Sequence, residues 1–333
     1  MLTSEIIRRV KEIQIRTGRP VTDILAGEYM SVFKGGGVEF DEVRPYVPGD
    51  DIRTIDWNVT ARAGQPFVKR FQEERQRSLL MVADVSASQN FGSHNRSKRE
   101  ITAELCALLA FSAIHNDDKV GLLLFHDGIE HYIPPRRGQT HALRVVREVL
   151  AHGRDDTREN PGQPTRPTPW RDFIRHPSLL RQEWRRWRTG TNASPPPNTD
   201  IAQAMDFMMT VNKRRGICFL ISDFFAPEFD RAVAAANRKH DVIAVLVSDP
   251  REEILPDVGL LTLQDAETGE IQVVDTGSQA FRDGVARQAR ERISALEKRF
   301  GSLGIDCIHV DTTHNVVDPL IHFFRMRERR IRR

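Results

Sequence analysis

From about residue 78 onward, short uninterrupted apolar runs alternate with stretches whose apolar positions recur every three to five residues. Runs of the first kind read as strands buried on both faces of a parallel sheet, and the second kind as helices packed on it. SLLMVAD is the first such strand. KREITAELCALLAFSAIH, with Ile101, Leu105, Leu108, Leu109 and Ile114 at helical spacing, is the helix that follows. KVGLLLF and the run around GIEHYI are joined by His126-Asp127-Gly128, and Asp-Gly between strand-like segments predicts a hairpin. Helices are then expected around HALRVVREVL and DIAQAMDFMMTVN, a strand at GICFLIS, a helix near PEFDRAVAAANRK and a strand at VIAVLVS. A long helix from about Gln279 to Phe300, the strand IDCIHV and a basic terminal helix complete the series. The pattern predicts an α/β fold with a doubly wound, mainly parallel sheet over residues 78–333.

Two segments break the rhythm. Residues 1–77 open with a helical pattern and pass into GGGVEFDEVRPYVPGDDIRTIDW, too dense in Gly and Pro for a strand-helix-strand unit, and are read as a small β-rich appended subdomain. Residues 153–197 carry eight prolines, nine arginines and three of the four tryptophans, which marks a long insertion between two helices.

Composition narrows the class. With 39% hydrophobic and 29% charged residues, and no apolar stretch near the roughly 20 residues that span a bilayer, a soluble protein is expected. The opening MLTSEIIRRVKEIQI alternates charge with aliphatics and has no signal-peptide core, so a cytoplasmic address is expected. Cys106, Cys218 and Cys307 sit in apolar runs without zinc-finger spacing and read as small core hydrophobes. Net charge is only +3, yet 41 of the 49 basic residues are Arg, and IHFFRMRERRIRR at the end holds six of them. Such a tail suits nucleic acid, anionic lipid or an acidic protein, or a solvated helix end that complements the macrodipole.

The residues with most chemical content follow SLLMVAD. Asp84, Ser86 and Ser88 alternate where a strand ends and a helix will begin; in extended chain they project the same way and can converge on a small hard cation. By composition alone a DxSxS arises in roughly one of every ten to twenty chains of this length, and Asp and Ser also serve as turn and cap residues. Position adds weight, because ligands in open parallel sheets gather at the carboxyl ends of strands. Thr199 precedes the helix IAQAMDFMM, and Asp223 closes GICFLIS. Together Asp84, Ser86, Ser88, Thr199 and Asp223 form an oxygen-only set suited to Mg²⁺ or Mn²⁺.

DVSAS, a Thr before a helix and the strand-end Asp of ISDF resemble the metal-ion-dependent adhesion site of von Willebrand factor A domains. VFKGGGVEFDEVRPYVPGDDIRTIDWNVTARAGQPFVKRFQEERQ and HDVIAVLVSDPREEILPDVGLLTLQDAETGE are similar to the DUF58 family, whose members carry a von Willebrand A-like domain and are often encoded beside MoxR-type AAA+ ATPases. The resemblance covers most of the chain, residues 153–197 least. It implies that Asp84, Ser86 and Ser88 match the adhesion-site loop, Thr199 its threonine and Asp223 its distal carboxylate. Gln89 stands where a Met is common, at a position that is not a ligand. Thr140, in Gly138-Gln139-Thr140, is a competing threonine; Thr199 is preferred because TDIAQAM leads directly into the helix before GICFLISD. The implied function is non-enzymatic: a MoxR-associated adaptor in chaperone-like assembly or maturation, whose metal takes a Glu or Asp from a client protein as its last ligand.

No phosphate loop, HExxH, GxSxG or strand-borne GxGxxG is present. His126, Asp127 and His131 could be imagined as a metal site, but turn and strand-face roles are the simpler reading. Arg44, Asp50, Asp51, Arg53, Asp56, Trp57 and Arg62 allow charge-paired hydrogen bonds beneath an aromatic ring, or a docking surface for the ATPase. Trp170, Trp184 and Trp187, among the arginines of the insertion, could stack on single strands or fold back over their own domain. The alternatives to an adaptor are a metal-dependent phosphoesterase or nuclease, and peripheral membrane or nucleic-acid binding through the Arg-rich tail.

Overall fold

The computed structural model describes residues 25–29, 32, 38–73, 77–94, 96–152, 199–226, 228–266 and 271–331. The insertion at 153–197, with its three tryptophans, lies outside them. Six strands form the main sheet: β3 (Ser78–Asp84), β4 (Lys119–Phe125), β5 (Ile129–Arg136), β6 (Ile217–Ser222), β7 (Asp241–Ser248) and β10 (Asp306–Asp311). Their order is β10-β7-β6-β3-β4-β5, and every pairing is parallel except that of β4 with β5. Numbered among themselves, these strands run 3-2-1-4-5-6 in space, the doubly wound order expected of the sequence.

The continuous apolar runs are buried on both sides, as their composition requires. Leu79, Met81 and Ala83 of β3 enter one core, with α2 (Lys98–His115), α3 (Gln139–His152) and α8 (Val317–Ile331). Leu80 and Val82 enter the other, with α4 (Ile201–Val211), α5 (Asp230–Lys239) and α7 (Gln279–Ser302). Among the described residues no helix is long and apolar enough to cross a membrane.

Residues 25–29 form a helical turn, and Leu25, Tyr29 and Val32, at helical spacing, belong to the α2/α8 core. Tyr29 Oη donates to Asp118 Oδ2 at 2.9 Å, its ring meets Phe324 edge-on, and Arg325 pairs with Glu28. This part of residues 1–77 thus packs as a piece of the α/β unit. The separate sheet begins later, with β1 (Val38–Pro45) antiparallel to β2 (Phe67–Glu73). A further antiparallel pair, β8 (Leu260–Gln264) and β9 (Ile271–Asp275), was not expected: Leu260, Leu263 and Ile271 are exposed and only Val274 is buried, so little apolar burial marks it in the sequence.

Three arginines of the basic end, Arg325, Arg327 and Arg330, are engaged at home. Arg327 donates both to Asp241 Oδ1 and Oδ2, at 2.6 and 2.7 Å, and Arg330 pairs with Asp306 at 2.8 Å, clamping α8 to the starts of β7 and β10.

Candidate metal centre

Sheet register brings the two central carboxylates together. Ala83 pairs with Ile221, so Asp84 stands across from Ser222, and Asp223 follows at the end of the adjacent strand. From β3 the chain winds to β4 on one side, and from β6 to β7 on the other. The pair therefore lies at the switch in strand order, the place where open α/β sheets as a class bind their ligands.

A chain of hydrogen bonds joins the expected ligands. Asp84 Oδ1 accepts from the Ser86 backbone N–H at 2.9 Å and Oδ2 from Ser222 Oγ at 2.7 Å. Ser86 Oγ lies 3.1 Å from Ser88 Oγ, which donates to Asp223 Oδ2 at 2.9 Å. The convergence does not come from extended chain: the strand ends at Asp84, and a 3-10 turn over Ala87–Asn90 swings Ser88 toward Asp223.

Thr199 arrives at the same edge, one strand over. The N–H of Asp200 donates to His126 O at 2.6 Å, beside the bond from Val85 N to Phe125 O. No hydrogen bond joins Thr199 to the other four among the described residues. The helix cap behind it is Asp200, which accepts from Gln203 N. Thr140 is at the far edge: β5 runs antiparallel and pairs its end, Arg136, with Val120 at the start of β4, and α3 begins there. The direction of one strand separates the two threonines.

The sequence reading missed Lys98. It is the first residue of α2, capped by Ser97 in a capping box with Glu100, and its side chain has 0% exposure. The Nζ donates to Asp223 Oδ2 at 2.8 Å and to Glu252 Oε1 at 2.6 Å, the latter on α6 (Pro250–Glu253). Its legible signal is a lysine at the positive end of a helix dipole, where cations are unfavourable. Arg292 of α7 donates to the Asp223 carbonyl at 3.1 Å and stacks 3.9 Å over the Phe225 ring. Phe224 has φ 55, a left-handed conformation that is an outlier for a bulky residue. It turns the Phe224 ring inward against Phe229 and Phe300 while Phe225 remains 54% exposed at the rim.

Burial, and then the charge of Asp223, push the Asp84 carboxyl up from 3.8 to about 6. Two buried carboxylates on adjoining strands, bridged by serine hydroxyls, leave excess negative potential that a cation relieves. The donor set fits a hard divalent ion, with Asp84, Ser86, Ser88 and Asp223 grouped and Thr199 nearby. Gln89, beside Ser88, is fully buried, and neither its Oε1 nor its Nε2 has a partner among the described residues.

The other sequence candidates resolve locally. His126 Nδ1 accepts from the Asp127 backbone N–H and its Nε2 lies 2.6 Å from Glu130, so His126, Asp127 and Glu130 form a compact group at the surface, closed on itself. His131 instead faces Glu148 at 3.7 Å. In the β1–β2 unit Arg44 and Asp50 form a two-bond pair, Asp51 and Asp56 cap short helices including α1 (Trp57–Ala63), and Trp57 is 68% exposed and covers nothing.

A Mycobacterium tuberculosis protein described as uncharacterized is 27% identical over 321 residues, covering 96% of this chain and 89% of that protein. Among solved structures, the conserved hypothetical protein BatB from Bacteroides thetaiotaomicron covers 76% of this chain and 99% of its own at 14% identity, with a TM-score of 0.40. The VWA domain of SpRpn10 covers 74% and 94% at 10% identity, with a TM-score of 0.37. The family model described as protein of unknown function DUF58 matches residues 42–295, spanning the second half of β1, the candidate centre and most of α7, and the chain belongs to that family.

Proposed function

We propose that this protein is a non-enzymatic adaptor that binds a partner protein through Mg²⁺ or Mn²⁺ held by Asp84, Ser86, Ser88, Thr199 and Asp223. The observation that carries this reading is the unbroken Asp84–Ser86–Ser88–Asp223 chain at the switch point of the sheet. An octahedral divalent ion held by those five residues would keep its sixth position for an external carboxylate. Exposed Phe91 and Phe225 flank the site and give a protein ligand apolar surface beside that position.

A hydrolytic role wants a free base, and the carboxylates at hand are engaged: Asp84 by Ser86 and Ser222, Glu252 by Lys98. Three free cysteines suit a reducing compartment, in keeping with a cytoplasmic adaptor. By family resemblance the partner is a MoxR-type AAA+ ATPase, and the activity assembly or maturation of a client. Pull-down of the purified ATPase, with and without Mg²⁺, tests this: binding is expected to fall at least about tenfold on chelation and equally in Asp84→Ala, a loss near 1.4 kcal/mol. Binding indifferent to both would remove the metal from the function.

A further inference from the structure

Lys98 is the buried charge that a metal-ligand reading leaves unused. Its ammonium shares Asp223 Oδ2 with the Ser88 hydroxyl, the oxygen through which the distal carboxylate joins the ligand chain. It also has a second seat: Glu252 Oε1 is held beside it by a capping box, in which Glu252 Oε2 accepts from Asp249 N and the Asp249 side chain accepts from the Glu252 backbone N–H, while Asp249 Oδ2 is fixed in turn by the Ser93 N–H. With one carboxylate oxygen at 2.8 Å and another at 2.6 Å, the buried ammonium is paired as a cation. A fixed positive charge at 2.8 Å from a ligand carboxylate opposes any divalent ion that needs the same oxygen.

We infer that Lys98 is a tethered counter-cation that competes with the divalent ion for Asp223, and that Glu252 is the seat to which it withdraws when the ion binds. This rests on the metal-bridged reading above and deepens it by naming what limits occupancy. Removal of the ammonium then strengthens metal binding, whereas removal of the alternative seat weakens it. A merely structural lysine predicts the opposite for its own substitution, since losing it loosens the ligand cluster.

The test is Mn²⁺ titration of the full chain, by calorimetry or electron paramagnetic resonance, with circular dichroism as the fold check. Wild type is compared with Lys98→Met, Glu252→Gln and Asp84→Ala. Lys98→Met is expected to bind Mn²⁺ at least about tenfold more tightly, Glu252→Gln about threefold or more weakly, and Asp84→Ala not at all. A folded Lys98→Met that binds no better than wild type overturns the inference and leaves the metal reading standing. If Lys98→Met does not fold, Glu252→Gln decides, and equal or tighter binding there overturns it. Tight binding by Lys98→Met alone supports the competition in its strongest form. Absence of Mn²⁺ binding in both wild type and Lys98→Met overturns this inference and the metal reading together.

Discussion

Asp84 has a carboxyl raised from 3.8 to about 6 by burial and the adjacent Asp223 charge, which inverts the usual pH behaviour of a structural acid. The native state holds this proton more tightly than the unfolded chain. Its contribution to stability is therefore full below about pH 4 and is lost as pH rises to about 6, on the order of 3 kcal/mol in all. Denaturation of chelator-treated protein across that window should show the decline, and Asp84→Asn should remove it; a profile unchanged by Asp84→Asn would show that the strain lies elsewhere. Gln89 offers a second test. Its buried amide lacks partners among the described residues, so Gln89→Met is expected to stabilise the fold by ~1–2 kcal/mol in urea unfolding. Stability lowered by that change would mean that the amide is satisfied after all. Asp84, Ser86, Ser88 and Asp223 were legible because each sits at or just past the end of an apolar run. Lys98 was passed over: its position at the positive end of a helix is out of place for a cation, but such a lysine reads as solvated unless one knows which carboxylates face it.

At the scale of elements, the turn after β3 is held by its ends. Gly92 permits this: a Cβ there would collide with Arg96 O and stand 2.6 Å from Ser97 Cα, the cap of α2. Gly92→Ala is accordingly expected to cost about 1–3 kcal/mol and to disturb the helix start that positions Lys98, visible as a lowered denaturation midpoint. An unaltered midpoint would show that the loop can yield. The helices packed on the sheet were legible from their period and the core strands from their continuous apolar runs, and Asp-Gly marked the β4–β5 hairpin; the short α1 and α6 were not expected. The β8–β9 pair escaped because its strands are short and Leu260, Leu263 and Ile271 face solvent, and the inward packing of Leu25, Tyr29 and Val32 escaped because their partners on α8 lie some three hundred residues away.

For the whole molecule, the net charge of +3 and its arginine excess describe the surface poorly. Arg325, Arg327 and Arg330 close α8 onto Glu28, Asp241 and Asp306, a use of guanidinium pairs that composition cannot distinguish from a tail meant for phosphates. What the sequence determined by itself was local: which runs are strands, which are helices, and that oxygen-bearing residues cluster where strands end, because side-chain period and apolar burial are written residue by residue. What only the tertiary structure decided was adjacency. The switch in strand order set Asp84 beside Asp223, and helix packing drove Lys98 into the carboxylates. Each of these depends on pairing between segments far apart in the chain, chosen by the burial of the whole sheet, and no local period encodes it.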